Sequence, residues 1–232
     1  MTTISNALQA VRRRIERAAA QCGRDPGAIV LLAVSKTFGP DVIRAAHGCG
    51  QRAFGESYAQ EALNKIEALG DLDIEWHFIG PIQSNKTRLL AENFAWVHGV
   101  DREKIAQRLS EQRPNGMVPL NVCIQVNVSG EASKGGVPPE QVEPLARTIA
   151  ALPRINLRGL MAIPEPTDDV ALQRARFRQV RELKDKLIAA GLALDTLSMG
   201  MSGDLETAIL EGATMVRVGS AIFGEREKHE KH

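Results

Sequence analysis

From residue 28 to the end of the chain, short apolar segments alternate with amphipathic helical ones, and the order never breaks. The apolar segments are "AIVLLAVSK" (28–36), "RAFGES" (52–57), "IEWHFIG" (74–80), "FAWVHGV" (94–100), "PLNVCIQVNV" (119–128), "INLRGLMAI" (155–163), "TLSMG" (196–200) and "MVRVGSAIF" (215–223). Helical patterns such as "PDVIRAAHGCG", "YAQEALNKIEALG" and "GDLETAILEG" lie between them, several opened by Pro or Asp and closed by Gly. A helical crossover returns the chain to the same end of a sheet, so the strands must be parallel. Eight such units in succession predict a single (β/α)8 TIM barrel of the α/β class, and a doubly wound open sheet is the alternative. Continuous apolar strands such as "AIVLLAVS" fit a sheet covered on both faces.

One helix precedes the first strand, with Ile4, Leu8, Val11 and Ile15 on one stripe. The eighth strand is expected to run to Phe223, which leaves its own helix missing or vestigial. No Pro-, Gly- or Ser-rich linker divides the 232 residues, so one domain is expected over 1–232, with residues 1–27 as helix and connection and 225–232 as a charged tail.

Charge is balanced, 29 basic against 28 acidic side chains for a net +1. That balance gives no reason to expect a nucleic-acid or membrane partner. No apolar run reaches the roughly 18 residues that span a bilayer, and the N-terminus lacks the apolar core of a signal peptide, so a cytoplasmic protein is expected. Cys22, Cys49 and Cys123 form no C-x-x-C pair and no disulfide framework. His47, His98, His229 and His232 lack metal-ligand spacing, and no metal is expected. No exposed apolar stripe stands out, which favours a monomer.

In a parallel barrel, chemistry sits where strands end and βα loops begin. Strand one ends in Lys36, strand two in Glu56 and Ser57, and strand three in His77 to Gly80. Strand seven ends in "SMGMSGD", which contributes Met199 and Ser202, and strand eight carries Arg217, Gly219 and Ser220. Lys36 is either a snorkelling lysine at the barrel mouth or a Schiff-base lysine made available by partial burial. Loops seven and eight, rich in Gly and Ser, match the usual phosphate site of such barrels. An imine-forming lysine with a phosphate cup implies a phosphorylated aldehyde, and pyridoxal 5′-phosphate (PLP) fits. Arg217 is placed to face its pyridine nitrogen and, being always protonated, would keep that nitrogen unprotonated. His77 reads equally as a group near the cofactor ring or as a core histidine. Lys134 reads as a solvated loop lysine, with assistance to cofactor transfer as the alternative. The glycines of "GATMVRVG" and "GSAIFG" form no dinucleotide fingerprint.

The stretches "LLAVSKTF", "FGESYAQEALNK", "EWHFIGPIQSNK", "VNVSGEASKGG", "GLMAIPE" and "LSMGMSGDLETAILEGATMVRVGSAIFGER" lie in order along nearly the whole chain. Together they resemble the pyridoxal phosphate homeostasis protein family, also called the YggS/PROSC family. The resemblance implies a barrel like the N-terminal domain of alanine racemase (PLP fold type III), with PLP bound through Lys36. It also implies cofactor contacts from Ser202, Arg217, Gly219 and Ser220. Two positions depart from the family pattern: Ser57 stands where F-G-E-N-Y has asparagine and reaches less far, and Ile82 replaces a leucine of I-G-x-L-Q.

Three functions compete at this level. The first is a non-enzymatic PLP carrier in vitamin B6 and amino-acid homeostasis, with apo PLP-dependent enzymes as possible recipients. The second is a PLP-dependent racemase, and the third an aldolase-like barrel in which Lys36 attacks a carbonyl substrate directly. Racemisation needs a base on each face of the α-carbon. In racemases resembling this barrel the second base is a tyrosine from an added β domain. The chain ends nine residues after Phe223, so no such domain is expected, and the sole tyrosine, Tyr58, is poorly placed to reach across the ring.

Overall fold

The computed structural model describes residues 3–130 and 135–224. Eight parallel strands close on themselves in sequence order: β1 (Val30–Val34), β2 (Ala53–Glu56), β3 (Glu75–Phe78), β4 (Trp96–Val100), β5 (Leu120–Val126), β6 (Ile155–Ala162), β7 (Thr196–Ser198) and β8 (Met215–Val218). The closing pair, β1 with β8, sets Leu32 beside Arg217 and Ala33 beside Val218. The barrel expected from the βα alternation is therefore the observed fold.

Helices α2 (Pro40–Gly48), α3 (Ala59–Ala68), α4 (Thr87–Asn93), α5 (Glu103–Gln112), α6 (Pro139–Ala150), α7 (Val170–Ala189) and α8 (Leu205–Leu210) follow strands one to seven. The eighth strand is shorter than expected. It stops at Val218, and Ser220–Phe223 forms a single helical turn, α9. "GSAIF" is a short apolar run whose helical and extended readings cannot be separated by periodicity alone. With so short a final helix, α1 (Ile4–Gln21) completes the outer ring: it packs against α2, α8 and α9, and it buries Leu8, Val11 and Ile15.

Strand alternation divides the core in two. Outward side chains such as Ala33, Phe54, Trp76, Phe78, Val97, Val122, Leu197 and Val216 pack with the helices in one large cluster. Inward positions hold two small apolar clusters, Leu32–Ala53–Met215 and Trp96–Cys123–Met161. Four further inward positions are polar: His77, His98, Ser198 and Arg217 are all buried. A barrel interior is normally filled with branched apolar residues. Four buried polar groups there require partners, since an unpaired one costs about 1–3 kcal/mol.

Candidate functional site

At the carboxyl end of the barrel lies a cavity of about 610 Å³, of a size suited to a small organic ligand. Its wall includes Lys36 and Phe38 after β1, Ser57 after β2, Ser202 and Gly203 after β7, and Arg217, Gly219 and Ser220 from β8 and its turn. Six of the residues singled out from sequence, Lys36, Ser57, Ser202, Arg217, Gly219 and Ser220, thus meet around one space.

His77 and Met199 do not line it. Met199 follows the inward Ser198 by one residue, so alternation turns its side chain outward into the helix-facing core. His77 points inward but lies deeper, stacked on Trp96 with centroids 5.4 Å apart. Lys134 and the tail 225–232 lie outside the described residues.

Lys36 sits on a turn whose two flanks are fixed. Phe38 N–H donates to the Ser35 carbonyl at 3.0 Å. Thr37 holds φ at 72°, a left-handed conformation costly for a β-branched residue, and its N–H donates to Glu61 Oε1 at 2.6 Å. The Lys65 ammonium donates to the Ser35 carbonyl (2.9 Å), to Glu56 Oε1 (2.8 Å) and to Glu61 Oε1 (2.5 Å). Ser35 Oγ also donates to Glu56 Oε1 at 2.6 Å. Burial pushes the Glu56 carboxyl up, and Lys65 and Ser35 oppose that rise. Sequence reading missed this cluster, although the i, i+4 spacing of Glu61 and Lys65 in "YAQEALNK" was a signal for part of it.

Two glycines set the neighbouring walls. A Cβ on Gly80 would lie 2.2 Å from the Ser57 carbonyl oxygen, so only glycine lets the β3 loop pack against the β2 loop. Gly200 has φ 93°, and a Cβ there would lie 2.5 Å from that of Ala208. Beyond it, Met201 N–H donates to Asp204 Oδ1 at 2.6 Å, and Arg14 of α1 donates to the Ser202 carbonyl at 2.9 Å while pairing with Glu206. The N-terminal helix therefore positions the Ser202 loop. Phe38 and Phe223, with centroids 5.2 Å apart, join the loops after β1 and β8.

Arg217 lies below this rim. Nη1 donates to Ser198 Oγ and Nη2 to the Ala162 carbonyl, both at 2.9 Å. Burial pushes its pKa down to about 10, still protonated at neutral pH. Beneath it, Ser198 Oγ is 2.8 Å from His98 Nδ1, His98 Nε2 is 3.0 Å from His77 Nδ1, and His77 Nε2 is 2.8 Å from Glu75 Oε1. Burial lowers the pKa of both histidines. For His77 the Glu75 carboxylate opposes that, whereas for His98 the neighbouring His77 and Arg217 add to it. Burial pushes the Cys123 thiol up to about 12, which makes it inert. Among the described residues, no group of three His, Cys, Asp or Glu is placed to hold a metal, and no helix is long and apolar enough to cross a membrane.

The buried histidines carry a pH prediction. Folded His77 and His98 resist protonation, whereas in the unfolded chain they take up protons below about pH 6.5. Unfolding then binds protons, so stability falls as pH falls through that region. The charged or titratable groups facing the pair are Glu75 from β3, Arg217 from β8, and Arg158 of β6, which lies over Trp96. Two such histidines together remove up to about 3 kcal/mol between pH 7.5 and pH 5.5. Urea unfolding of the ligand-free protein at those two pH values measures the loss, and equal stability at both would contradict it.

The fit of a pyridoxal phosphate to these residues rests on the donor set. One lysine stands at the rim, one fixed guanidinium lies at the floor, and Ser202, Gly203, Gly219 and Ser220 line the wall. A Cβ on Gly203 would meet no atom within 4 Å, so the space beside that part of the wall is open.

Residues 7–227 match the family described as the alanine racemase N-terminal domain. A Pseudomonas aeruginosa protein named pyridoxal phosphate homeostasis protein is 60% identical over 227 residues, which span 98% of this chain and 97% of that one. The protein of that name from Escherichia coli K12 is 50% identical over 234 residues and the whole of both chains. The structure of PipY from Synechococcus elongatus with PLP bound is 37% identical, with a TM-score of 0.81 over 91% of this chain and 100% of that one. Alanine racemase from Corynebacterium glutamicum shares the fold, with a TM-score of 0.71 and 20% identity, over 98% of this chain and 64% of the enzyme.

Proposed function

The chain belongs to the alanine racemase N-terminal domain family and, within it, to the pyridoxal phosphate homeostasis proteins, and on that premise we propose that it binds PLP in the cavity above Arg217 and serves vitamin B6 and amino-acid homeostasis without being an efficient enzyme. The observation that carries this reading is the composition of the cavity wall. Its only titratable side chains among the described residues are Lys36 and Arg217.

Bound there, the cofactor supplies an aldehyde carbon that an amine can attack, and a ring able to delocalise negative charge. Lys36 is the amine that would hold it covalently. Arg217, locked by Ser198 and Ala162, would present N–H groups to the ring nitrogen and, remaining protonated, would give it no proton. Ser202, with the backbone around Gly219 and Ser220, would take the phosphate. Ser57 would line the edge, with shorter reach than an asparagine.

The same wall argues against efficient racemisation. Proton transfer on both faces of a substrate carbon requires two bases. Arg217 cannot serve as one, and Tyr58 is 53% exposed and does not line the cavity. A cavity open at the barrel mouth suits release of the cofactor to apo enzymes by a monomer in the cytoplasm, and the three free cysteines fit a reducing compartment. Incubation of the PLP-loaded protein with L-alanine and other amino acids, followed by chiral analysis, tests this. No turnover in the usual enzyme range of about 1–10³ s⁻¹ is expected. Turnover in that range, lost on Lys36→Ala, would make the protein an enzyme.

The phosphate assignment has its own test. Ser202→Ala should weaken PLP binding about tenfold or more, because hydrogen bonds to a charged group contribute roughly 1.5–3 kcal/mol. Unphosphorylated pyridoxal binding as tightly as PLP would contradict it.

A further inference from the structure

Five side chains on four strands run from the amino end of the barrel to the cavity floor: Glu75, His77, His98, Ser198 and Arg217. Both histidines are completely buried, which favours the neutral ring, and with neutral rings the two ends fix the direction of every hydrogen bond between them. An arginine can only donate, so Ser198 Oγ accepts from Arg217 Nη1. A carboxylate can only accept, so His77 Nε2 carries the proton and donates to Glu75. His77 Nδ1 is then an acceptor, which requires His98 to donate through Nε2–H. His98 Nδ1 is left as an acceptor for the Ser198 hydroxyl. In this arrangement both imidazoles are in the Nε2–H form, and each contact of the series has one donor and one acceptor.

We propose that Glu75, His77, His98 and Ser198 form a one-directional hydrogen-bond wire that holds Arg217 as a fixed donor at the cavity floor, and that they act as positioning residues for the ring nitrogen that Arg217 faces. The second half rests on the reading that PLP binds in this cavity. Glu75 anchors the wire from a half-exposed position at the opposite end of the barrel, with its side chain 50% exposed. Its carboxylate is stabilised first by His77, so the anchor stays ionised at neutral pH. Trp96 stacks on His77, and Arg158 lies 4.8 Å above the Trp96 ring, so the lower half of the wire is held by packing as well as by charge.

The direction of the wire is tested without the cofactor. In ligand-free protein labelled with ¹⁵N-histidine, long-range ¹H–¹⁵N spectra should show His77 and His98 neutral and in the Nε2–H form from pH 8 down to pH 6. Glu75→Gln keeps the shape but offers a donor as well as an acceptor, and it should allow an Nδ1–H population at His77 that the parent lacks. Nδ1–H or charged imidazoles in the parent at pH 7 would overturn the wire.

Its positioning role is tested with PLP and with 1-deaza-PLP, which lacks the ring nitrogen. Ser198→Ala should weaken PLP about tenfold relative to the parent, Ser198→Thr should restore most of the loss, and neither should change the affinity for the deaza analogue. An equal loss for both ligands would overturn positioning through Arg217. A parent that bound the two equally well would refute the proposed placement of the ring, and the histidine spectra would still decide the wire.

Discussion

Lys36→Ala is expected to abolish covalent retention of PLP and the visible absorbance of the lysine-linked cofactor, while leaving the fold intact. Lys36 is only half-buried at the barrel rim, and its turn is held by neighbours: Lys65 on the Ser35 carbonyl and Glu61 on the Thr37 N–H. Removing its side chain therefore strips an amine from the wall without undoing the loop. The cavity keeps Arg217, Ser202, Gly219 and Ser220, so weak noncovalent binding should persist, reduced about a hundredfold or more (about 2.7 kcal/mol or more). Circular dichroism and urea unfolding check the fold, and the absorbance spectrum checks the link. A band of full intensity in this variant would move the attachment to another lysine, with Lys134 the first to test.

Lys65→Met is expected to produce the largest stability loss of any substitution near the site. Lys65 is 5% exposed and Glu56 is fully buried, and Lys65 is the cation that compensates that carboxylate. Taking one partner from a buried pair typically costs about 3–5 kcal/mol, because the remaining charge stays desolvated. Glu56 Oε2 has no hydrogen-bond partner even with Lys65 present, so without Lys65 only the neutral Ser35 hydroxyl would remain on the carboxylate. Its pKa is already raised by burial, and without Lys65 it should rise further. The defect should therefore be smaller at low pH, where Glu56 can take up a proton. The double variant Glu56→Gln with Lys65→Met should recover most of the loss. PLP affinity should fall in the single variant, because the Ser35 carbonyl beside Lys36 loses its tether. A loss below about 1 kcal/mol would show that the pair contributes little and that the Lys36 turn is held otherwise.

The barrel was legible because its strands are short apolar runs between amphipathic helices, a pattern that parallel strands covered on both faces impose. The boundary at Val218 was not, since "GSAIF" is equally apolar as strand or helix. Loop residues such as Lys36, Ser202 and Ser220 could be grouped because all βα loops of a barrel open to one end. His77 and Met199 were grouped with them by position along the strand, and the alternation of side chains separated them: one lies deep inside the barrel, the other faces the helices. What stayed hidden were pairings set by closure of the barrel. Arg14 reaches Ser202 across 188 positions and His98 reaches Ser198 across 100, distances over which no local spacing carries a signal. His98 carried one clue, a polar residue in an otherwise apolar strand. A buried polar side chain demands a partner, but the sequence does not say which.

On the proposed function, one lysine at the mouth of this barrel holds pyridoxal phosphate. The most direct measurement is borohydride reduction of the intact, PLP-loaded protein followed by proteolysis and mass spectrometry of the modified peptide. A single stoichiometric phosphopyridoxyl modification is expected on Lys36, in the peptide containing "LLAVSKTFGP". Modification centred on another lysine, or spread over several surface lysines with Lys36 unmodified, would contradict it.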